Sequence, residues 1–284
     1  MSLKNISDYH THNYRCKHAE GDLVDYIKAA IKIGLAEIGF CDHFPYEFLK
    51  DLGNIPYKDY SMTLNEIPSY LALAEDLREK YKNQIEVKVG FELEFMEGQE
   101  SAINQILDKY IDKIDFLFGS VHLLKGEKGT WCFDDNRYVN EYNLYGADVV
   151  YPQYFQKLEK MITSTNFDFD VVSHFDLPKK FNKFPENQDS ITETIYNLLE
   201  IIKKRNIVIE INTGGLRKDV EEQYPSWNII ERMNELSIPI VLGSDAHMPQ
   251  EVGYKFDEIL NKLKEIGYNE LVSFNKRKKE FVDI

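Results

Sequence analysis

Two imidazoles stand two residues apart in His10-Thr-His12, and side chains at i and i+2 of an extended segment project to one side. The other histidines fall in short clusters as well: His18 close behind, then Asp42-His43, Ser120-Val-His122, Ser173-His174 and Ser244-Asp245-Ala-His247. Neutral imidazole is the commonest protein ligand for transition metals. Gly90-Phe-Glu92-Leu-Glu94 adds two carboxylates, again two apart. A single carboxylate can bridge two cations roughly 3.5–4 Å apart, the spacing of two-metal hydrolytic sites. Glu92 is the better bridge; Glu94 either orients a histidine or is an exposed acid. Asp245 and His247 repeat the two-apart spacing. Asp42 points away from His43 on a regular strand and reads as an orienting or capping residue, and Asp176 is open between the same two roles. The expected metal ligands are therefore His10, His12, His18, His43, Glu92, His122, His174, Asp245 and His247. One catalytic tetrahedral zinc takes about three protein ligands. Nine groups fit two to three divalent ions sharing one carboxylate, and imidazole-rich sites suit zinc, iron or manganese.

Such ions make hydroxide available near neutral pH and stabilise charge on phosphoryl oxygens. The chain has no Gly-x-Ser-x-Gly elbow and no glycine-rich phosphate loop. Metal-assisted hydrolysis by direct water attack is the simplest reading. A small phosphoester needs positive charge at the pocket mouth. Arg217, in Asn212-Thr-Gly-Gly-Leu-Arg217, is placed for a bidentate phosphate contact, and the two glycines permit close backbone approach. Arg15 is a further substrate contact, with Lys17 beside it. Glu92, His247 and Arg217 form the expected catalytic set.

Each cluster follows an apolar run. The runs Ile6–Tyr9, Ala36–Cys41, Glu86–Phe91, Asp115–Val121, Phe169–Val172, Ile207–Ile211 and Ile238–Leu242 read as strands. Between and after them, helical spacing marks Asp22–Ile33, Thr63–Tyr81, Ala102–Ile111, Tyr151–Ser164, Ile191–Lys204, Trp227–Leu236 and Lys255–Ile266. Seven strand-then-helix units imply parallel pairing with right-handed crossovers. The prediction is an α/β fold, a single domain over residues 1–284 folded as a distorted, TIM-like (β/α)7 barrel. In such barrels the loops at the C-terminal strand ends build the site, which is where the candidate ligands fall. Segments 44–62 and 125–150 read as long loops over the pocket mouth, either lids or decoration. The basic run Lys276-Arg277-Lys278-Lys279 reads as a solvated turn.

A net charge of −14 argues against a nucleic-acid partner held by its backbone. The hydrophobic fraction of 43% suffices for a full core. Cys16, Cys41 and Cys132 do not form a disulfide framework, so a reducing compartment is expected. Cys16 and Cys41 lie beside ligand candidates; small buried residues are the simpler reading than thiolate ligands. No apolar run reaches about 18 residues, so no membrane span is expected. The N-terminus lacks a signal-peptide core, leaving the cytoplasm as the default. The chain is expected to act as a monomer or small homo-oligomer.

These motifs resemble the polymerase-and-histidinol-phosphatase (PHP) superfamily. The likeness is carried by Asp8-Tyr-His10-Thr-His12, Asp42-His43, Gly90-Phe-Glu92, Gly119-Ser-Val-His122, Ser173-His174-Phe-Asp176 and Gly243-Ser-Asp245-Ala-His247. Glu210-Ile-Asn212-Thr-Gly-Gly-Leu-Arg217 and Cys16-Lys-His18 look most like its histidinol-phosphatase branch. The resemblance implies a distorted seven-stranded barrel, a trinuclear metal centre and hydrolysis of L-histidinol phosphate. It implies a first ion on His10, His12, Glu92 and Asp245, and a second on Glu92, His122 and His174. A third would lie on His18, His43 and His247. Alternatives are a phosphatase or phosphodiesterase with another substrate, such as a phosphotyrosine peptide or a nucleotide, or a noncatalytic metal-stabilised module. Glu94, Asp176 or a loop acid would meet the ammonium of histidinol.

Overall fold

The computed structural model describes residues 3–49, 52, 53 and 55–284. In chain order come β1 (Ser7–Asp8), α1 (Leu23–Ile33), β2 (Glu37–His43), α2 (Ile67–Tyr81), β3 (Glu86–Glu94), α3 (Glu100–Leu107) and β4 (Phe116–Ser120). The hairpin β5 (Leu123–Gly126) and β6 (Gly129–Cys132) follows, then α4 (Val139–Tyr145) and α5 (Ala147–Thr163). The second half runs β7 (Val171–Val172), α6 (Gln188–Arg205), β8 (Val208–Asn212), α7 (Trp227–Glu235), β9 (Ile240–Gly243) and α8 (Phe256–Ile266). The hairpin β10 (Glu270–Asn275) and β11 (Lys278–Asp283) closes the chain.

Seven strands pair in parallel in the order β1-β2-β3-β4-β7-β8-β9. The two ends of the sheet meet: Tyr9 N donates to Leu242 O at 3.0 Å and His12 N to Ala246 O at 2.9 Å. The result is the expected (β/α)7 barrel, nearly closed. Period-two alternation divides its packing. On β3, Val87, Val89, Phe91 and Leu93 join the large core between sheet and helices, while Glu92 and Glu94 occupy the other face. A second cluster inside the barrel contains Tyr9, Phe116, Phe118, Val171, Val208 and Val241. Each helix buries one stripe; α1 buries Leu23, Tyr26, Ile27 and Ala30, starts on an Asp22–Asp25 capping box and ends at Gly34 with φ 82°.

The C-terminal hairpin seals the barrel floor. Val272 and Phe274 join the inner cluster, and Ser273 Oγ and Tyr9 Oη both bond the buried Glu37 carboxylate. At its turn Lys276 and Arg277 have φ of 48° and 67°. Only Lys276 and Arg277 of the basic run form the turn, since Lys278 and Lys279 begin β11, and the Arg277 side chain is just 18% exposed. Its guanidinium binds Asp168 at 2.9 Å and also Asp170, because the hairpin drives it under the starts of the strands.

The segment 125–150 is more ordered than a loop. It contains most of the β5–β6 hairpin, α4 and the first turn of α5, which begins at Ala147 rather than Tyr151. In the segment 44–62, Tyr57–Asp59 forms a short 3-10 turn, and residues 50, 51 and 54 lie outside the described residues. No helix among the described residues is long and apolar enough to cross a membrane.

Candidate metal centre

Six strand ends deliver ligands to one point above Phe118, whose ring lies 5.2 Å from that of His10. His10 and His12 extend β1, His43 ends β2, and Glu92 lies near the end of β3. His122, His174, and the pair Asp245 and His247 follow β4, β7 and β9. His18 alone comes from a loop, after the 3-10 turn Tyr14–Cys16. Two of these ligands have left-handed backbone, Asp245 at φ 53° and His174 at φ 20°, a cost tolerated where side-chain aim matters.

Glu92 sits at the centre, 1% exposed. Its Oε2 is 3.3 Å from His10 Nε2 and 3.6 Å from His12 Nε2, and Asp245 Oδ1 is 3.4 Å from His12 Nε2. Its Oε1 is 2.9 Å from His174 Nε2 and 3.4 Å from His122 Nε2, which are 3.1 Å from each other. Ligands bonded at about 2.0–2.1 Å to a tetrahedral ion stand about 3.3–3.4 Å apart. The two oxygens of one carboxylate thus face two different imidazole groups. The expected third set is looser: ligand atoms of His43 and His247 lie within 4.8 Å of one another and of His12, those of His18 and His247 do so with Cys16, and the ring centroids stand 4.9 Å (His18–His247), 5.3 Å (His18–His43) and 6.5 Å (His43–His247) apart. His43 Nδ1 also reaches Glu92 Oε2 at 3.0 Å.

The ring environments suit metal ligands. His10 donates from Nδ1 to Glu210 at 2.7 Å, His122 to Glu94 at 3.1 Å, and His247 to Asp245 O at 3.0 Å. Each bond fixes the tautomer that leaves Nε2 free. The buried Nε2 atoms of His10 and His12 have no hydrogen-bond partner, as expected of groups that complete their valence on a cation. Asp42, fully buried, stands 3.5 Å from His12 Nδ1 and accepts from Asn13 at 2.6 Å. Divalent ions therefore fit the residues present.

The electrostatics mark a tightly coupled cluster of acids and imidazoles, in which His10 and His12, against the effect of burial, are raised by the carboxylates around them. Burial alone pushes the Glu92 carboxyl up, but His43, His10 and His122 outweigh it and hold Glu92 well below the usual range. Burial likewise opposes and His10 and His12 overcome it at Asp245, also held well below. Burial, assisted by neighbouring imidazoles, pushes His43 and His247 well below the ordinary histidine value. At His122 burial is outweighed by Glu92 and Glu94, and the value rises to about 9.

Sequence reasoning gave no separate role to Glu210 or Asp8, and it left Glu94 open between orienting a histidine and lying exposed, and Asp176 between orienting and capping. Glu210 orients His10 and accepts from His174 N at 2.8 Å. Its signal was a carboxylate inside an otherwise apolar strand. A Cβ on Gly243 would lie 1.9 Å from Glu210 Oε1, so only glycine fits there. Asp8 ties β1 to the β9 loop through Ser244 N and Gly253 N. Glu94 is buried, shared between His122 and Lys157. Asp176 accepts from Ser226 and pairs with Lys179.

The expected phosphate contacts need correction. Arg217 donates to Ser244 O at 2.9 Å and Asp245 O at 3.0 Å and pairs with Glu251, so it braces the β9 loop. Gly215 serves internal packing, since a Cβ there would lie 2.1 Å from Glu222 O. Arg15 is buried on Asn13 and Asp22. Neither arginine lines the cavity of about 560 Å³ above the ligands. Its cations are Lys17, Arg137, Lys180 and Lys218, with Tyr46, Tyr60, Asp59, Asp134 and Asp135 around them. Lys17 pairs with Glu66, Arg137 with Asp59 and Asp135, and Lys180 with Asp134. Lys218 has no such partner among the described residues.

A nearly closed seven-stranded barrel with clustered imidazoles and a shared carboxylate at its C-terminal end defines a metal-binding α/β barrel. Residues 8–214 match the PHP domain, and the chain belongs to that family. It is 32% identical to the "Probable histidinol-phosphatase" of Deinococcus radiodurans, over 97% of this chain and 99% of that one. It is 28% identical to the "Histidinol-phosphatase" of Bacillus subtilis, over 90% and 98%. The crystal structure of hisK from Listeria monocytogenes superposes with a TM-score of 0.82 at 28% identity, covering 89% of this chain and 99% of that one. The histidinol phosphate phosphatase of Lactococcus lactis, solved with Zn, L-histidinol and phosphate, gives 0.77 at 22% identity, covering 97% and 99%.

Proposed function

We propose that this chain is a metal-dependent phosphomonoesterase that hydrolyses L-histidinol phosphate to L-histidinol and phosphate. The observation that carries the reading is the split of Glu92 between two imidazole groups, taken with relatives of that activity matched over almost their whole length. Two to three ions of zinc, iron or manganese would be held, the first by His10, His12, Glu92 and Asp245, the second by Glu92, His122 and His174, the third by His18, His43 and His247. When bound, they supply Lewis acidity that acidifies water and neutralises phosphoryl charge.

The protein's own groups do the rest. Glu210 and Glu94 hold the His10 and His122 rings in the tautomer that ligates, and Asp42 stands 3.5 Å from His12 Nδ1. Lys218, which has no ion-pair partner among the described residues, and Lys180 beside it take the role first read for Arg217 and Arg15, holding non-bridging phosphate oxygens. Arg217 acts indirectly by bracing the Asp245 backbone. The leaving alcohol, cationic at its ammonium, lies among Tyr46, Tyr60 and the loop acids Asp59, Asp134 and Asp135. Glu94 and Asp176 do not line that cavity. Water adds to phosphorus, the P–O bond to the alcohol breaks, and the departing oxygen takes a proton. Three free buried cysteines support work in a reducing, cytoplasmic compartment.

A panel on the protein as purified tests this, measuring phosphate released from histidinol phosphate, a phosphotyrosine peptide and a nucleoside monophosphate. Histidinol phosphate is expected to turn over fastest. Bound ions with no release from any ester would instead favour the noncatalytic module.

A further inference from the structure

His18 differs from the other ligands in what supports it. Its Nδ1 is shared between Cys16 O at 2.9 Å and Asp59 O at 3.0 Å, and its ring meets Tyr60 edge-on at 6.3 Å. Asp59 and Tyr60 belong to the loop after β2. That loop is fastened across the cavity mouth to the segment after β6. Arg137 Nη1 donates to Asp59 Oδ2 at 2.9 Å, its Nε donates to Asp135 Oδ2 at 2.9 Å, and its guanidinium lies 5.0 Å over the Tyr60 ring. Tyr60 Oη donates to the same Asp135 carboxylate. The orienting partners of His10 and His122 come instead from β8 and β3.

We infer that the Arg137 clasp across the mouth sets the position of His18, and through it the retention of the third ion alone. This rests on the three-ion reading above. A ligating histidine loses aim when the acceptor on its other nitrogen moves, and such losses cost about 10–100-fold in metal affinity. The clasp touches neither the Glu210 nor the Glu94 support, so the first two ions are indifferent to it. Arg137, Asp59 and Tyr60 are thus positioning residues, and the loops that frame substrate entry also govern one member of the metal cluster.

The test titrates a chelator against zinc-loaded full-length protein and counts retained ions by mass spectrometry. Wild type should hold three. Arg137→Ala should release one ion at about tenfold lower chelator and keep two at the wild-type midpoint. Arg137→Lys, which retains the charge, should restore part of the loss. Tyr60→Phe, a milder change, should shift the same ion in the same direction, and it decides the matter if Arg137→Ala does not fold. Three ions released at wild-type chelator by the variants, or all three loosened together, would overturn the inference while leaving the three-ion reading intact. Two ions in wild type would overturn both.

Discussion

Glu92 and His122 are the residues on which the chemistry is most concentrated. One carboxylate faces both tight imidazole groups, and His122 forms a corner of one of them. Replacing either by alanine should cost at least about a thousandfold in turnover, since an ion supplies several kcal/mol of transition-state stabilisation. Circular dichroism should stay near wild type; near-normal turnover in either variant would refute the assignment. The proposed phosphate contacts separate by kinetics. Lys218→Ala should weaken inhibition by free phosphate about tenfold, the worth of one charge-assisted hydrogen bond. Arg217→Ala should leave that inhibition constant nearly unchanged and lower kcat, because its guanidinium grips the Asp245 carbonyl. The opposite pattern would return Arg217 to the phosphate. Residue type and spacing made the histidines, Glu92 and Asp245 legible. Arg217 shows the limit of that signal: its neighbours in sequence end a strand at the site, while its side chain turns back to backbone carbonyls. That choice depends on Ser244, Asp245 and Glu251, all distant in sequence.

At the level of elements, the parallel strands were legible because each carries a short apolar run and alternates with an amphipathic helix. The two hairpins were not. In β11 the run Lys278-Lys-Glu-Phe-Val-Asp283 is largely exposed and charged, so it carries no burial pattern to read. The β5–β6 pair hid inside a segment that looked like a loop, its turn at Gly126 to Gly129 being the available signal. The closing hairpin is nevertheless what anchors the barrel floor. Arg277→Ala would leave Asp170, with its side chain 12% exposed, short of its main cation. The expected loss is about 2 kcal/mol in denaturant unfolding, with turnover of the folded enzyme unchanged. A variant as stable as wild type would show that the hairpin holds by apolar contacts alone.

Across the whole molecule, a chain of net charge −14 places a compact set of imidazoles and lysines at one end of its barrel. Bound cations would offset part of that charge locally, which composition alone could not locate. Stability should follow the buried pairs of the cavity wall. Burial pushes the Asp134 carboxyl up, but Lys180 and then His122 outweigh it and hold it below the unfolded value near 3.9. A depressed acid stabilises fully above that value and loses its contribution as pH falls toward the folded one. With chelator present throughout, Asp134→Asn should lower Tm at pH 7 and differ progressively less from wild type as pH falls below about 4. A gap that widens on acidification would contradict this sign. Loop order and the Arg137 clasp belong to this scale too, since each joins segments some eighty residues apart.

The most direct measurement is an anomalous-difference map from crystals of the protein grown with phosphate, recorded at the zinc, iron and manganese edges. The account predicts two strong peaks about 3.5–4 Å apart on either side of the Glu92 carboxylate, one beside His10 and His12 and one beside His122 and His174. Peaks confined to the surface, or none within bonding distance of Glu92, would contradict it.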